Sequence, residues 1–241
     1  MTRFTVLSDP EAVAVATADH FVATVRGAID ARGVARVALS GGGTPKQVYP
    51  LLLQPARRDA VEWSCVEFFW GDERAVPPDH PESNFGVAYG MLISQLPAVR
   101  PDRVHRMPAE AQDREAAALS HESELRLAFG SRADEPPAFD LIWLGMGPDG
   151  HTASLFPGST ALGERERWVV ANWAPGPEAW RMTLTFPVLE AARDIIMVVT
   201  GADKADAVAR IRAGERELPA ARITGPAVEW ILDAAAAGDA P

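Results

Sequence analysis

The chain has 241 residues, 47% of them hydrophobic, which is enough to bury one sizeable core, and no Ser/Gly tract, charge run or proline-rich spacer divides it. Its formal net charge of −10, with no basic stripe, disfavours nucleic acid and anionic membranes as partners, so a small anionic substrate would need a local cluster of cations. One cysteine, Cys65, excludes an intrachain disulfide and a Cys-based zinc site.

In chain order, Ser8 or Asp9 followed by Pro10 and Glu11 reads as a helix start: a cap, a proline at the first position and an acid in the first turn. Val13, Ala16, Phe21 and Val25 continue an apolar face, and Gly33 ends the segment. Nothing before Pro10 resembles a basic region followed by an apolar one, and no apolar run reads as long enough to cross a bilayer. A soluble cytoplasmic chain is therefore expected. Residues 34–39 are a valine-rich strand, SGGGT follows, and a helix is expected over 45–53. VEFFW (66–70) is the next strand, and SNFGVAYGMLISQL (83–96) is a helix capped by Ser83. A short strand is expected at 104–107 and a helix over 110–129, stopped by Gly130. FDLIWLG (139–145) is apolar throughout, as a strand covered on both faces should be. Segments 168–173, 181–186 and 194–200 are further strands, and 203–213 and 227–237 are read as helices. The alternation predicts a Rossmann-like, mainly parallel sheet with helices on both faces, forming a single α/β domain over 1–241. Ligands in such folds bind at the carboxyl ends of the strands, which singles out loops 40–44, 71–76, 145–152 and 200–204.

Loop 40–44 places Ser40, Gly41, Gly42, Gly43 and Thr44 between a buried strand and a helix start. Successive glycines there let exposed N–H groups approach a phosphate or carboxylate; the alternative is a tight turn, and GxxxxGK[ST] is absent. GMGPDG (145–150) spells G-x-G-x-x-G. Pro148 within the turn, the mid-chain position and the lack of an acid at the end of the next strand argue against a dinucleotide fingerprint. The segment reads instead as a site loop in which Asp149 and His151 lie two residues apart, with the imidazole able to take a proton from water and return it to a leaving group. His20, His80, His105 and His121 have no such setting and read as surface or structural residues. Asp72, Glu73 and Arg74 follow another strand, either as a solvated charge cluster or with Arg74 on an anion and Asp72 as base or orienter. Of the only two lysines, Lys204 fits a compact cation beside an anion and Lys46 a helix surface.

ALSGGGTPKQVYPLL, FFWGDERAVPPDHPESNFG, FDLIWLGMGPDGHTASLFPG, RMTLTFPVL and VTGADKADAV, in that order between about Val34 and Ile211, together resemble the 6-phosphogluconolactonase family, which is similar in fold to glucosamine-6-phosphate deaminase. The resemblance implies hydrolysis of 6-phospho-D-glucono-1,5-lactone to 6-phosphogluconate in the oxidative pentose phosphate pathway, with no metal or cofactor and, as a further expectation, as a monomer. By the same resemblance His151 is the proton-transfer histidine. Arg74 contacts the anionic end of the substrate, and Gly42, Gly43 and Thr44 form the phosphate-side loop. Arg181 and Lys204 match phosphate-binding cations of the deaminases, and Asp72 stands where those enzymes keep a base. Asn84, in PESNFG, is placed among the substrate-binding residues, although the stretch departs from the expected Asp-Ser-Asn-Tyr-like pattern.

Two rival readings stay in view. A sugar-phosphate deaminase or isomerase would use Asp72 as base, and the arginine after Asp72–Glu73 speaks against it. A non-catalytic sugar-phosphate sensor would lack the site histidine and would usually carry a DNA-binding segment, for which only one helix precedes Val34. No serine sits in a GxSxG elbow, which speaks against an acyl-enzyme.

Overall fold

Nearly every strand of the main sheet alternates between two hydrophobic clusters, so both faces of that sheet are covered. The computed structural model describes residues 2–131 and 135–239. In chain order it runs β1 (Thr2–Leu7), α1 (Pro10–Arg32), β2 (Ala35–Leu39), α2 (Gly43–Leu52), α3 (Pro55–Arg58), β3 (Val66–Trp70), β4 (Asp72–Arg74), α4 (Asn84–Met91) and α5 (Arg114–Phe129). It continues through β5 (Leu141–Leu144), β6 (Val169–Ala174), β7 (Ala179–Leu184), α6 (Phe186–Ala191), β8 (Ile195–Val199), α7 (Ala205–Arg212), β9 (Val228–Asp233) and α8 (Ala234–Ala237).

Six strands in the order β1-β9-β8-β5-β2-β3 form an all-parallel sheet, and β4-β7-β6 form a small antiparallel one. Val37, Phe68, Trp143, Val198 and Ile231 face α1, α2 and α4; Ala38, Phe69, Ile142, Met197 and Trp230 face the other side. That second cluster also contains Val169, Met182 and Leu184 of the antiparallel sheet, so the two sheets are joined by shared apolar packing. From β2 the chain moves outward to β3, then returns to β5 on the other flank. The strand order therefore reverses between β2 and β5, and the crevice above such a reversal is where ligands sit in doubly wound sheets.

Local signals explain most element ends. Asp9 caps α1 by accepting from the Ala12 amide, and Gly33 closes it with φ 73°. Ser83 caps α4 through Gly86 N, and Gly130 closes α5 with φ 59°. By length and composition α1 could cross a membrane, contrary to the expectation that no segment could; here Val13, Phe21 and Val25 on it are fully buried in the core.

Four segments of secondary structure differ from their reading in the sequence. Residues 227–237 are not one helix: β9 runs between β1 and β8, and only the alanine run makes a single turn of helix. Trp230 and Leu232 bury one face and Ile231 the other, a two-sided pattern that periodicity alone does not distinguish from a buried helix. β1, unassigned from sequence, is an edge strand with much of its length exposed. Residues 72–74, read as loop, form β4 because β7 pairs with them. The strand expected at 104–107 is only an isolated bridge between Val104 and Phe68.

Candidate active site

The carboxyl ends of β2, β5 and β8, together with β4, enclose a cavity of about 380 Å³. Its wall includes Ser40 through Thr44, Asp72, Arg74, His151 and Lys204, so four separate loops named from sequence converge. α2 begins at Gly43 with no side-chain cap, and Gly42 precedes it at φ 103°, a backbone conformation suited to glycine. The first amides of this ten-residue helix therefore open toward the cavity, a favourable place for an anion. Thr44 Oγ1 lies 3.2 Å from Thr200 Oγ1, tying this loop to the end of β8. Gly41 is glycine for a packing reason, since an added Cβ would fall 1.8 Å from Asn84 Oδ1.

β4 places Asp72 and Arg74 on the wall with Glu73 between them facing away. Glu73 is 3% exposed and accepts from Arg74 N, Asn84 N, Phe85 N and Ser83 Oγ at 2.7–3.0 Å. Burial raises its carboxyl above the ordinary range, against the pull of those four donors. Glu73 thus anchors the start of α4, and α4 in turn presents Asn84. The Asn84 amide donates to Asp72 O (2.9 Å) and Asp72 Oδ1 (3.2 Å). Asn84 is 3% exposed and does not line the cavity, so it braces Asp72 where a substrate ligand was expected.

Arg74 donates from Nη1 to Glu82 O, while its buried Nε has no partner among the described residues. Across the antiparallel pair it faces Arg181, which does not itself line the cavity. Burial, and after it the neighbouring Arg74 charge, lowers the Arg181 pKa against the opposing pull of Asp72, Glu82 and Glu73. Lys204 reaches the wall from the β8 loop and touches Asp203. That loop is fixed by Asp233, 2% exposed, whose carboxylate accepts from Gly201 N and caps α8. Lys46 is exposed on α2 and off the wall, as expected.

His151 Nδ1 lies 2.5 Å from Asp149 Oδ1, which also accepts from His151 N at 3.1 Å. Partial burial pushes the Asp149 carboxyl up, but the donors and charge of His151 outweigh it and hold Asp149 below the usual range. The imidazole stacks on Phe156 with centroids 4.1 Å apart. Asp149 stands behind the ring and off the wall. No helix follows the GMGPDG turn, so a pyrophosphate seat of the dinucleotide kind is not formed there. His20, His105 and His121 are elsewhere, each beside a carboxylate. Among the described residues no cluster of three or more His, Cys, Asp or Glu side chains is placed to hold a metal ion.

Sequence reasoning did not single out Ser154, Phe156, Thr200, Gln47 or Asp233. Phe156 and Ser154 lie inside the quoted GMGPDGHTASLFP segment, but their partners are set by tertiary contact.

The sequence family described as glucosamine-6-phosphate isomerases/6-phosphogluconolactonase matches residues 8–231. The chain belongs to this family. A 6-phosphogluconolactonase of Streptomyces coelicolor is 39% identical over 242 residues, covering 97% of this chain and 92% of that relative. The solved 6-phosphogluconolactonase of Trypanosoma cruzi superposes with a TM-score of 0.88 at 31% identity, covering 99% and 97% of the two chains. A monomeric glucosamine-6-phosphate deaminase shares the fold, with a TM-score of 0.81 at 21% identity over 99% and 100%.

Proposed function

We propose that this enzyme hydrolyses 6-phospho-D-glucono-1,5-lactone to 6-phospho-D-gluconate, with His151 moving the proton. The observation that carries the reading is an imidazole braced at Nδ1 by an ionised Asp149, in the same cavity as Arg74, Lys204 and the uncapped start of α2. An ionised Asp149 keeps the proton on Nδ1 and leaves Nε2 free to act as base. Arg74, backed by Arg181, and Lys204 hold the phosphate with the 42–44 amides, and three cations locally offset the −10 net charge.

In this mechanism Asp72 accepts from the attacking water and orients it. His151 Nε2 removes the other proton as the water oxygen bonds to C1. The tetrahedral oxyanion collapses, the bond from C1 to the ring oxygen breaks, and the imidazolium returns its proton to that oxygen. General acid–base catalysis of this kind contributes about 10²–10⁴-fold, a suitable scale for an ester already labile in water. The domain 1–241 acts on a small sugar phosphate and requires no metal in this scheme.

The test generates the lactone in place from glucose 6-phosphate with its dehydrogenase and follows hydrolysis above the spontaneous background. His151→Ala is expected to lose about 10²-fold or more in kcat; activity near that of the unaltered enzyme would remove the histidine from the mechanism. The unaltered enzyme is expected to release no ammonia from glucosamine 6-phosphate.

A further inference from the structure

Ser154 is three residues beyond His151, 1% exposed, and absent from the cavity wall. Its Oγ donates to Asp72 Oδ2 at 2.6 Å, a short charge-assisted bond. The other oxygen, Asp72 Oδ1, accepts from Asn84 Nδ2. Two neutral side-chain donors, one to each oxygen, thus fix the Asp72 carboxyl group.

The backbone of Ser154 is held independently. Its N–H donates to Thr183 Oγ1 (3.2 Å) and its carbonyl accepts from Asn172 Nδ2 (2.8 Å). Thr183 is the residue opposite Asp72 in the β4–β7 pair, and Asn172 lies on β6. Ala153, immediately before, takes φ 47°, a left-handed conformation costly for a residue with a Cβ and tolerated where surrounding contacts enforce it. The loop that leaves the parallel sheet with His151 is therefore fastened at Ser154 to the antiparallel sheet that carries Asp72 and Arg74.

We infer that Ser154 is a positioning residue: its hydroxyl sets the orientation of Asp72 relative to His151, and so the rate of lactone hydrolysis, without touching the substrate. The inference rests on the reading of Asp72 as the group that orients the attacking water. Because Thr183 and Asn172 hold the backbone, loss of the hydroxyl should release Asp72 Oδ2, leaving the carboxyl group held through Oδ1 by Asn84, with the loop in place.

The experiment is a double-mutant cycle on the full chain: Ser154→Ala, Asp72→Asn and the pair, each with kcat, KM and a thermal melt. Ser154→Ala is expected to lower kcat by about 10–100-fold, to leave KM within about 3-fold, and to cost nothing further once Asp72 is asparagine. Should the alanine variant melt early, Ser154→Cys, of similar size and a poor donor, is measured in its place with the same expectation. An unchanged kcat in a folded Ser154 variant, or the same fractional loss in the Asp72→Asn background, overturns the inference while leaving the lactonase reading intact. Near-unaltered kcat in Asp72→Asn alone overturns the role of Asp72, and the inference with it.

Discussion

Gly147 offers a way to move the His151 imidazole, and so to test its proposed role, without touching it. A Cβ added there would lie 2.1 Å from His151 Cε1, 2.2 Å from Nδ1 and 2.8 Å from Asp149 Oδ1. Carbon atoms in contact stay about 3.5 Å apart, so the ring of a Gly147→Ala variant must shift by about 1.4 Å. Phe156 covers one ring face, and the shift strains the 2.5 Å bond to Asp149. The backbone has little reason to move: Gly147 is not at positive φ, and its N–H and carbonyl are held by His151 O and Gly150 N. Alanine also restricts the unfolded chain, which stabilises by about 0.4–1 kcal/mol where the conformation is compatible. A misplacement of about 1 Å costs about 10²-fold, equivalent to about 2.7 kcal/mol of transition-state stabilisation. The expected variant is folded, melts close to the unaltered enzyme, and hydrolyses lactone about 10²-fold more slowly in the coupled assay. A kcat within about twofold, in a protein of unchanged stability, would show that the position of this ring does not limit the reaction.

Three further outcomes follow from the same geometry. Asp149→Asn presents an amide to Nδ1, allows the proton to settle on Nε2, and is expected to reduce kcat by about 10²–10⁴-fold with little change in KM, measured by steady-state kinetics. Arg74→Ala removes a cation from the wall. Loss of a charged hydrogen bond of about 1.5–3 kcal/mol should raise KM roughly 10–150-fold, and titration with 6-phosphogluconate should weaken in parallel. At Glu124, burial pushes the carboxyl up, but bonds from His105 and His121 and their charge hold it to about 2, against an ordinary value of 4.5. A carboxyl depressed by folding contributes stability above its unfolded value, and that contribution is lost as pH falls from about 4.5 toward about 2. Glu124→Gln should therefore flatten the acid side of the stability curve, read from urea melts at pH 5 and pH 3.

The parallel sheet was legible because its inner strands are apolar on both faces. The 141–144 and 195–199 segments need no partner to be recognised as buried, and VEFFW, though at the sheet edge and carrying Glu67, is apolar enough to read the same way. Val228–Asp233 carries Glu229 and Asp233 among its apolar residues and runs into four alanines, the residue of strongest helix propensity; pairing with β1 and β8 prevails over that local preference. β4 has three residues, all charged, and exists only because β7 lies beside it. In the site, glycine loops and a scarce lysine mark themselves in sequence, hence Gly42, His151 within GMGPDGH and Lys204, while Arg74 stands out by its place just after a buried strand. The braces do not: Ser154 is an ordinary serine until the fold carries it to Asp72, 82 positions away, and Asp233 an ordinary aspartate until it meets Gly201.

The two sheets divide the cavity wall. The parallel sheet ends in the three loops that supply helix amides, His151 and Lys204, whereas Asp72 and Arg74 belong to a strand of the antiparallel sheet. Separation between His151 and Arg74 is thus set by packing between sheets, where Leu144, Met146 and Leu155 meet Met182 and Leu184 in one cluster. Apolar contact resists compression but specifies orientation poorly, because dispersion is non-directional. Directional bonds supply what it lacks: Ser154 to Asp72, Asn172 to the Ser154 carbonyl, and Leu184 N to Gly71 O at 2.9 Å. The core brings the two sheets together, and a handful of buried polar contacts fixes their register.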